Sequence, residues 1–168
     1  MFIDETWTAT NMARSNGRCR KVERLRMGFP NGHRKTTTLV AGLRNTVMVA
    51  PLVIDAPING DWFEAYVGQV LVPTLKPGDV VVLDNLSSHK RHAASELIEA
   101  VGATMMFLSR YSPDFNPIEK AFSKLKALLR KASERTVTGL LDRIGKLVDL
   151  VEPQEAQNYF NSCGYDPT

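Results

Sequence analysis

Apolar and polar positions repeat in two registers along this chain, and the switches between them lay out an order of elements. Met1 to Thr6 is a short apolar run ending in acids and predicts a strand. Asn11 to Pro30 is rich in Arg and Gly without clear periodicity, which predicts a long loop or ragged hairpin. Thr36 to Leu43 and Val47 to Ile54 are β-branched runs joined by Arg44-Asn45-Thr46, a hairpin signal. After the break at Asn59-Gly60, Asp61 is the expected cap of a helix reaching about Leu75. Its residues Phe63, Tyr66, Val67, Val70 and Leu71 recur at helical spacing, and Trp62 is expected in the helix core. Lys76-Pro77-Gly78 ends it. Val80 to Leu83 is wholly apolar, as in a buried parallel strand. A helix follows over Arg91 to Val101, closed by Gly102, then a strand over Thr104 to Leu108. Three helices, over Pro117 to Ala132, Val137 to Val151 and Pro153 to Phe160, complete the chain.

An antiparallel start followed by alternating strands and helices predicts an α/β fold, a mixed sheet flanked by helices. With right-handed crossovers, the strand ending at Asp84 comes to lie beside the strand carrying Asp4. At 168 residues this is one domain, spanning residues 1–168. Ordinary hydrophobic (43%) and charged (23%) fractions argue against wholesale disorder. Cys19 and Cys163 are far apart in sequence and form no Cys-x-x-Cys, so a zinc site is not expected and a reduced, cytoplasmic setting is. No secretory signal and no apolar run of membrane-spanning length occurs.

Charge adds a pattern that the net value of +3 hides. Arg14, Arg18, Arg20, Lys21, Arg24, Arg26, Arg34 and Lys35 stand against Glu23 alone. Arg110, Lys120, Lys124, Lys126, Arg130, Lys131 and Arg135 form a second basic segment. Between them lies an acidic centre with Asp55, Asp61, Glu64, Asp79 and Asp84. Two basic segments around an acidic centre fit a nucleic-acid-binding enzyme with a metal site; they fit two solvated faces as well.

Three acids carry the candidate chemistry. Asp4 and Asp84 stand at the ends of apolar strands, and Glu119 on the first turn of a basic helix, where side chains of an α/β sheet converge on a crevice. Like charges about 4 Å apart repel by roughly 4 kcal/mol at an effective dielectric near 20, so such a cluster calls for a cation. Hard oxygen donors suit Mg²⁺ or Mn²⁺. Asp4 alone, three residues from the start, is uninformative, and the other two acids each have a plain alternative. Asp84-Asn85 can simply start a turn, and Asn116-Pro117 with Glu119 at the third helical position follows the capping-box pattern. His89 suits a surface or supporting position better than a ligand. No Gly-x-Ser-x-Gly, catalytic Cys setting or Gly-x-x-x-x-Gly-Lys loop is present.

The phrases Phe2-Ile3-Asp4-Glu5-Thr6, Gly32 to Thr38, Pro57-Ile58-Asn59-Gly60, Leu71 to Asp79, Asp84-Asn85-Leu86-Ser87-Ser88-His89-Lys90 and Tyr111 to Glu119 are more specific than any single acid. Together they closely resemble the catalytic region of bacterial insertion-sequence transposases of the mariner-related superfamily, the insertion-sequence six-thirty family. The resemblance implies an RNase H-like fold and an Asp-Asp-Glu triad of Asp4, Asp84 and Glu119 that binds two divalent ions, Mg²⁺ or Mn²⁺. It further implies DNA as partner, both element ends and target, and a homo-oligomer on DNA. Arg110, Lys120, Lys124, Lys131 and His89 are the expected DNA contacts, with Lys120, Lys124 and Lys131 along one side of their helix. Family members usually carry helix-turn-helix domains before this region, whereas this chain starts almost at the first acid. The resemblance therefore leads to the expectation of the second frame of a split element, with a separate N-terminal DNA-binding frame, a truncated copy or an internal start. Ser109-Arg110 stands where the family often has two prolines, and Trp7 where it often has Gly. Competing readings are a catalytically silent remnant that still binds DNA or a partner, and another RNase H-like nuclease.

Overall fold

Five strands form one mixed sheet in the computed structural model, which describes residues 1–13, 18–24, 26 and 35–165. The strands are β1 (Phe2–Ala9), β2 (Thr36–Leu43), β3 (Met48–Ile54), β4 (Val80–Leu83) and β5 (Thr104–Phe107), in spatial order β3-β2-β1-β4-β5. β1, β2 and β3 make an antiparallel meander, while β4 runs parallel to both β1 and β5. β1 is therefore central, paired on both edges. It extends past Thr6 because Trp7, Thr8 and Ala9 continue the ladder to Thr38, Thr37 and Thr36.

The period-2 alternation of the strands sends side chains to two cores. Phe2, Leu39, Ala41 and Leu43 pack on one face beneath α3 (Pro117–Ala132), α4 (Val137–Val148) and α5 (Pro153–Ser162). Ile3, Val40, Val81 and Leu83 pack on the other beneath α1 (Gly60–Tyr66) and α2 (His92–Ala100). α3 buries Ile118, Ala121, Phe122, Leu125 and Leu129, a stripe at helical spacing. α2 ends where Gly102 takes φ +77°, a left-handed conformation, while an added Cβ would meet the Pro77 ring at 3.2 Å.

Three expectations are corrected here. The helix after Gly60 is capped by Asn59, whose side chain accepts from the Trp62 N–H, and not by Asp61. It is also not uniform: after Tyr66 it widens to a π-helical turn over Val67–Leu71 and tightens to a 3₁₀ turn over Val72–Thr74, where Pro73 cannot donate to the helical ladder. Trp62 is not core; it is 47% exposed, and Phe63 and Tyr66 fill the interior instead. Within Asn11 to Pro30 the described residues carry turns but neither strand nor helix. Arg14, Arg34 and the Gly32-His33 pair lie outside the described residues. Among the described residues, no helix is long and apolar enough to cross a membrane.

Candidate active site

Register brings the first two acids together. Ile3 is paired with Leu83 across the parallel β1–β4 ladder, so Asp4 and Asp84 are the next residue along each of two adjacent strands. They meet at the end of β4, beside the start of α3, and a cleft of about 530 Å³ opens there. Asp4, Glu5, Asp84, Asn85, Asn116 and Glu119 line it, with Ser109 and Arg110 on the loop that joins β5 to α3. All three predicted acids are thus in one cleft.

Asp4 is the buried member (6% exposed). Its Oδ1 accepts the Glu5 backbone N–H at 2.7 Å and its Oδ2 accepts the Asn116 side-chain amide at 2.8 Å. Burial pushes its carboxyl up to about 7, and the nearby charges of Glu119, Glu5 and Asp84 push the same way, against the Glu5 N–H.

Glu119 does not cap its helix. The Asn116 N–H donates to the Pro113 carbonyl, and the Asn116 side chain makes no cap bond but turns to Asp4. The capping-box alternative therefore fails on both sides, and Glu119 is left exposed on the cleft wall.

Behind the acids sits His89, buried completely (0% exposed). Its Nε2 is 2.9 Å from Glu5 Oε2, its Nδ1 is 2.6 Å from Asp84 Oδ1 though poorly aligned as a hydrogen bond, and its ring packs 4.5 Å from that of Phe63. Burial works to lower its pKa, but the carboxylates of Asp84 and Glu5 outweigh it and hold the imidazole at about 9, protonated at neutral pH. The expectation of a DNA contact at His89 is corrected: a side chain with no accessible surface supports Asp84 from inside the fold.

The basic residues divide as well. Arg110 lines the cleft and is exposed; Lys120 and Lys131 are exposed along α3. Lys124 is instead committed to α5, paired with Glu155 and donating to the Leu150 carbonyl at 2.9 Å, so its expected place on a free DNA face is corrected. Lys126 was missed. It lies two turns beyond Glu119 on α3, sits 5.0 Å from the centre of the Trp7 ring and feels the charges of Glu119 and Asp4. Its pKa is lowered, by burial first and by Arg130 next. The spacing of Glu119 and Lys126, seven residues apart on one helix, was the available signal. Asn116 and Glu5 were missed as site residues because each looked accounted for locally, one as a cap and the other as a strand end.

The donor set suits a hard divalent cation: the carboxylates of Asp4, Asp84 and Glu119 beside the His89-bound Glu5, the side-chain oxygens of Asn116 and Asn85 that are buried without a hydrogen-bond partner, and no thiol. Among the described residues, no three His, Cys, Asp or Glu side chains already form a compact ligand cage. The acids share a cleft wall.

The family model for DDE superfamily endonucleases matches residues 1–140. The chain belongs to that superfamily. No curated protein matches it in sequence. Among solved structures, the mariner Mos1 paired-end complex with Mg is similar at TM-score 0.77 and 15% identity, over 96% of this chain and 51% of that one. The Mos1 strand transfer complex matches at 0.73 and 14%, over 96% and 51%. The catalytic domain of Mos1 mariner transposase matches at 0.70 and 13%, over 96% and 75%. At these identities the likeness is one of fold, the RNase H-like sheet with helices on both faces. The chain spans about half the length of the chains in the paired-end and strand transfer complexes.

Proposed function

We propose that this chain is the catalytic domain of a DDE transposase that cuts DNA at the ends of an insertion sequence and joins the freed 3′ end to target DNA. The observation that carries the reading is the β1–β4 register: it sets Asp4 and Asp84 side by side in one cleft with Glu119, and Asp4 is held near pKa 7 by burial and by those neighbours. Asp4, Asp84 and Glu119 would hold two divalent ions, Mg²⁺ or Mn²⁺. When bound, such ions activate water or a 3′-hydroxyl and stabilise the attacking and leaving oxygens of an in-line displacement at phosphorus.

The chain's own residues do the rest. Glu5 and Asn116 fix the plane of the Asp4 carboxylate. His89 balances the charge of Asp84 and Glu5 without occupying the cleft. Arg110, Lys120 and Lys126 offer cations to the phosphates of a strand crossing the first turns of α3, positioning it without reading bases, and Lys131 offers one at the far end of the helix. Self-association on DNA and a separate N-terminal DNA-binding frame belong to the same proposal. The paired-end arrangement of the similar Mos1 complexes supports the first.

Two measurements test it together: Mn²⁺ binding by calorimetry, and strand cleavage of element-end DNA with the chain alone and with a supplied DNA-binding domain. Asp84→Asn should abolish cleavage and weaken Mn²⁺ binding without unfolding the domain: it removes one like charge from the cluster, and it also takes from the buried His89 one of its two carboxylate partners. Glu119→Gln should also weaken Mn²⁺ binding, since no capping role is left to explain the acid. Unchanged Mn²⁺ titrations in both variants would remove the metal reading.

A further inference from the structure

The loop that carries Arg110 into the cleft also carries an anomaly. Tyr111 is 100% exposed, and its backbone sits at φ +59°, the left-handed region that side-chain-bearing residues rarely adopt. A large aromatic in full contact with water, on a backbone conformation that glycine would hold with less strain, returns nothing to the fold. Strain of this kind persists where it serves a site, and Tyr111 lines the same cleft as Asp4, Asp84 and Glu119. Leu86, directly after Asp84-Asn85, lines the cleft too and leaves 44% of its surface exposed.

Resting on the transposase reading, we propose that Tyr111 is a stacking platform for an unpaired DNA base next to the phosphate held at the acids, with Leu86 as a second apolar contact. Three features favour a base over a second protein chain. Tyr111 stands on the rim of the acid cleft, where the phosphate chemistry is. Arg110 beside it supplies a cation for the adjoining phosphate. The cleft, at about 530 Å³, matches the size of small-ligand sites and would admit a nucleotide. Aromatic rings stack on any base, and a duplex opened at that position would satisfy both the ring and the cleft.

The test uses the full chain with Mg²⁺ and two fluorescent probes. Both are 20-base-pair duplexes with a single 2-aminopurine, paired in one and left unpaired by a two-nucleotide mismatch in the other. Wild type should bind the unpaired probe at least about fivefold more tightly and quench its fluorescence, the scale expected of one stacked base. Tyr111→Phe should keep both effects. Tyr111→Ala should lose both while binding the paired probe within about twofold of wild type. Tyr111→Gly should lose them too and melt no lower than wild type, because Gly tolerates the positive φ; this separates loss of the platform from loss of the fold. Equal binding of the two probes by wild type, or an unchanged preference in Tyr111→Ala, overturns this inference and leaves the transposase reading standing. Failure to bind either probe overturns this inference as well, and the transposase reading then stands or falls on the Mn²⁺ and cleavage measurements above. A variant that loses self-association in sedimentation and keeps its probe preference would give the ring to a second copy of the chain and overturn the base assignment.

Discussion

Asn116 is the residue whose sequence reading and structural role diverge most. Its position before Pro117 marks a helix cap, yet its amide spans to Asp4, 112 residues earlier, and leaves its buried oxygen unpaired. Each Asp4 oxygen thereby accepts one hydrogen bond and keeps a lone pair for a cation. Asn116→Ser separates the two roles, because Ser caps helices about as well but cannot reach with an amide donor. Melting temperature should stay close to wild type, while Mn²⁺ affinity falls roughly 10–100-fold, the usual cost of losing an outer-shell partner. Equal Mn²⁺ affinity would reduce Asn116 to a helix start. The three acids themselves were legible as residues because apolar strands and a Pro-initiated helix point to their ends. Their supports were not. Nothing local tells that Glu5 and Asp84 share one buried imidazole, since that contact exists only once β1 and β4 are paired.

At the scale of elements, most boundaries follow from periodicity. β2 and α3 start and stop where the apolar pattern does, and α2 closes at Gly102. The segment after Gly60 departs because a π-helical turn over Val67–Leu71 and a 3₁₀ turn at Pro73 replace one continuous helix, an effect of backbone geometry that side-chain spacing does not encode. α3 shows the same limit. Its apolar stripe was readable, but which lysines remain free depends on α5, which takes Lys124 through Glu155. Each true phosphate contact contributes about −0.7 to −0.9 to the slope of log affinity against log salt. Lys120→Ala with Lys126→Ala should therefore flatten that slope by about 1–2 and weaken binding evenly across DNA sequences. Lys124→Ala should leave the slope unchanged and lower the melting temperature instead. If Lys124→Ala flattens the slope as much as the pair does, the ion pair with Glu155 opens on DNA.

For the molecule as a whole, the far end of the sheet offers a stability handle remote from the acids. Arg44, after β2, donates from both terminal nitrogens to Asp79, just before β4, and to the Thr74 carbonyl at 3.0 Å. The guanidinium holds the Asp79 carboxyl at about 2, below its ordinary range. An acid with a depressed native pKa stabilises the fold fully above its ordinary value, and the contribution fades as pH falls from about 4 towards 2. The gap in melting temperature between wild type and Arg44→Gln should therefore be constant at neutral pH and narrow across that acid window. A gap that persists at pH 2 would assign the effect to the Thr74 contact or to packing. Overall architecture was readable because sheet and helix periods alternate cleanly. The pairing of β1 with β4 rested on the crossover rule, and the strand order agrees with it.

That central position of β1 matters before the fold is complete. During synthesis β1, β2 and β3 emerge first and can pair as a meander, leaving one edge of β1 open until β4 follows some seventy residues later. An open apolar edge recruits strands from other chains, and charges placed on it are what discourage this. Asp4 and Glu5 follow directly on Phe2 and Ile3, the two residues that β4 later pairs. The same carboxylate that strains the finished protein would thus guard the nascent one. Asp4→Asn should raise the thermal stability of the purified, metal-free protein and yet lower the soluble fraction recovered from translation in vitro, a split that equilibrium unfolding alone would never reveal.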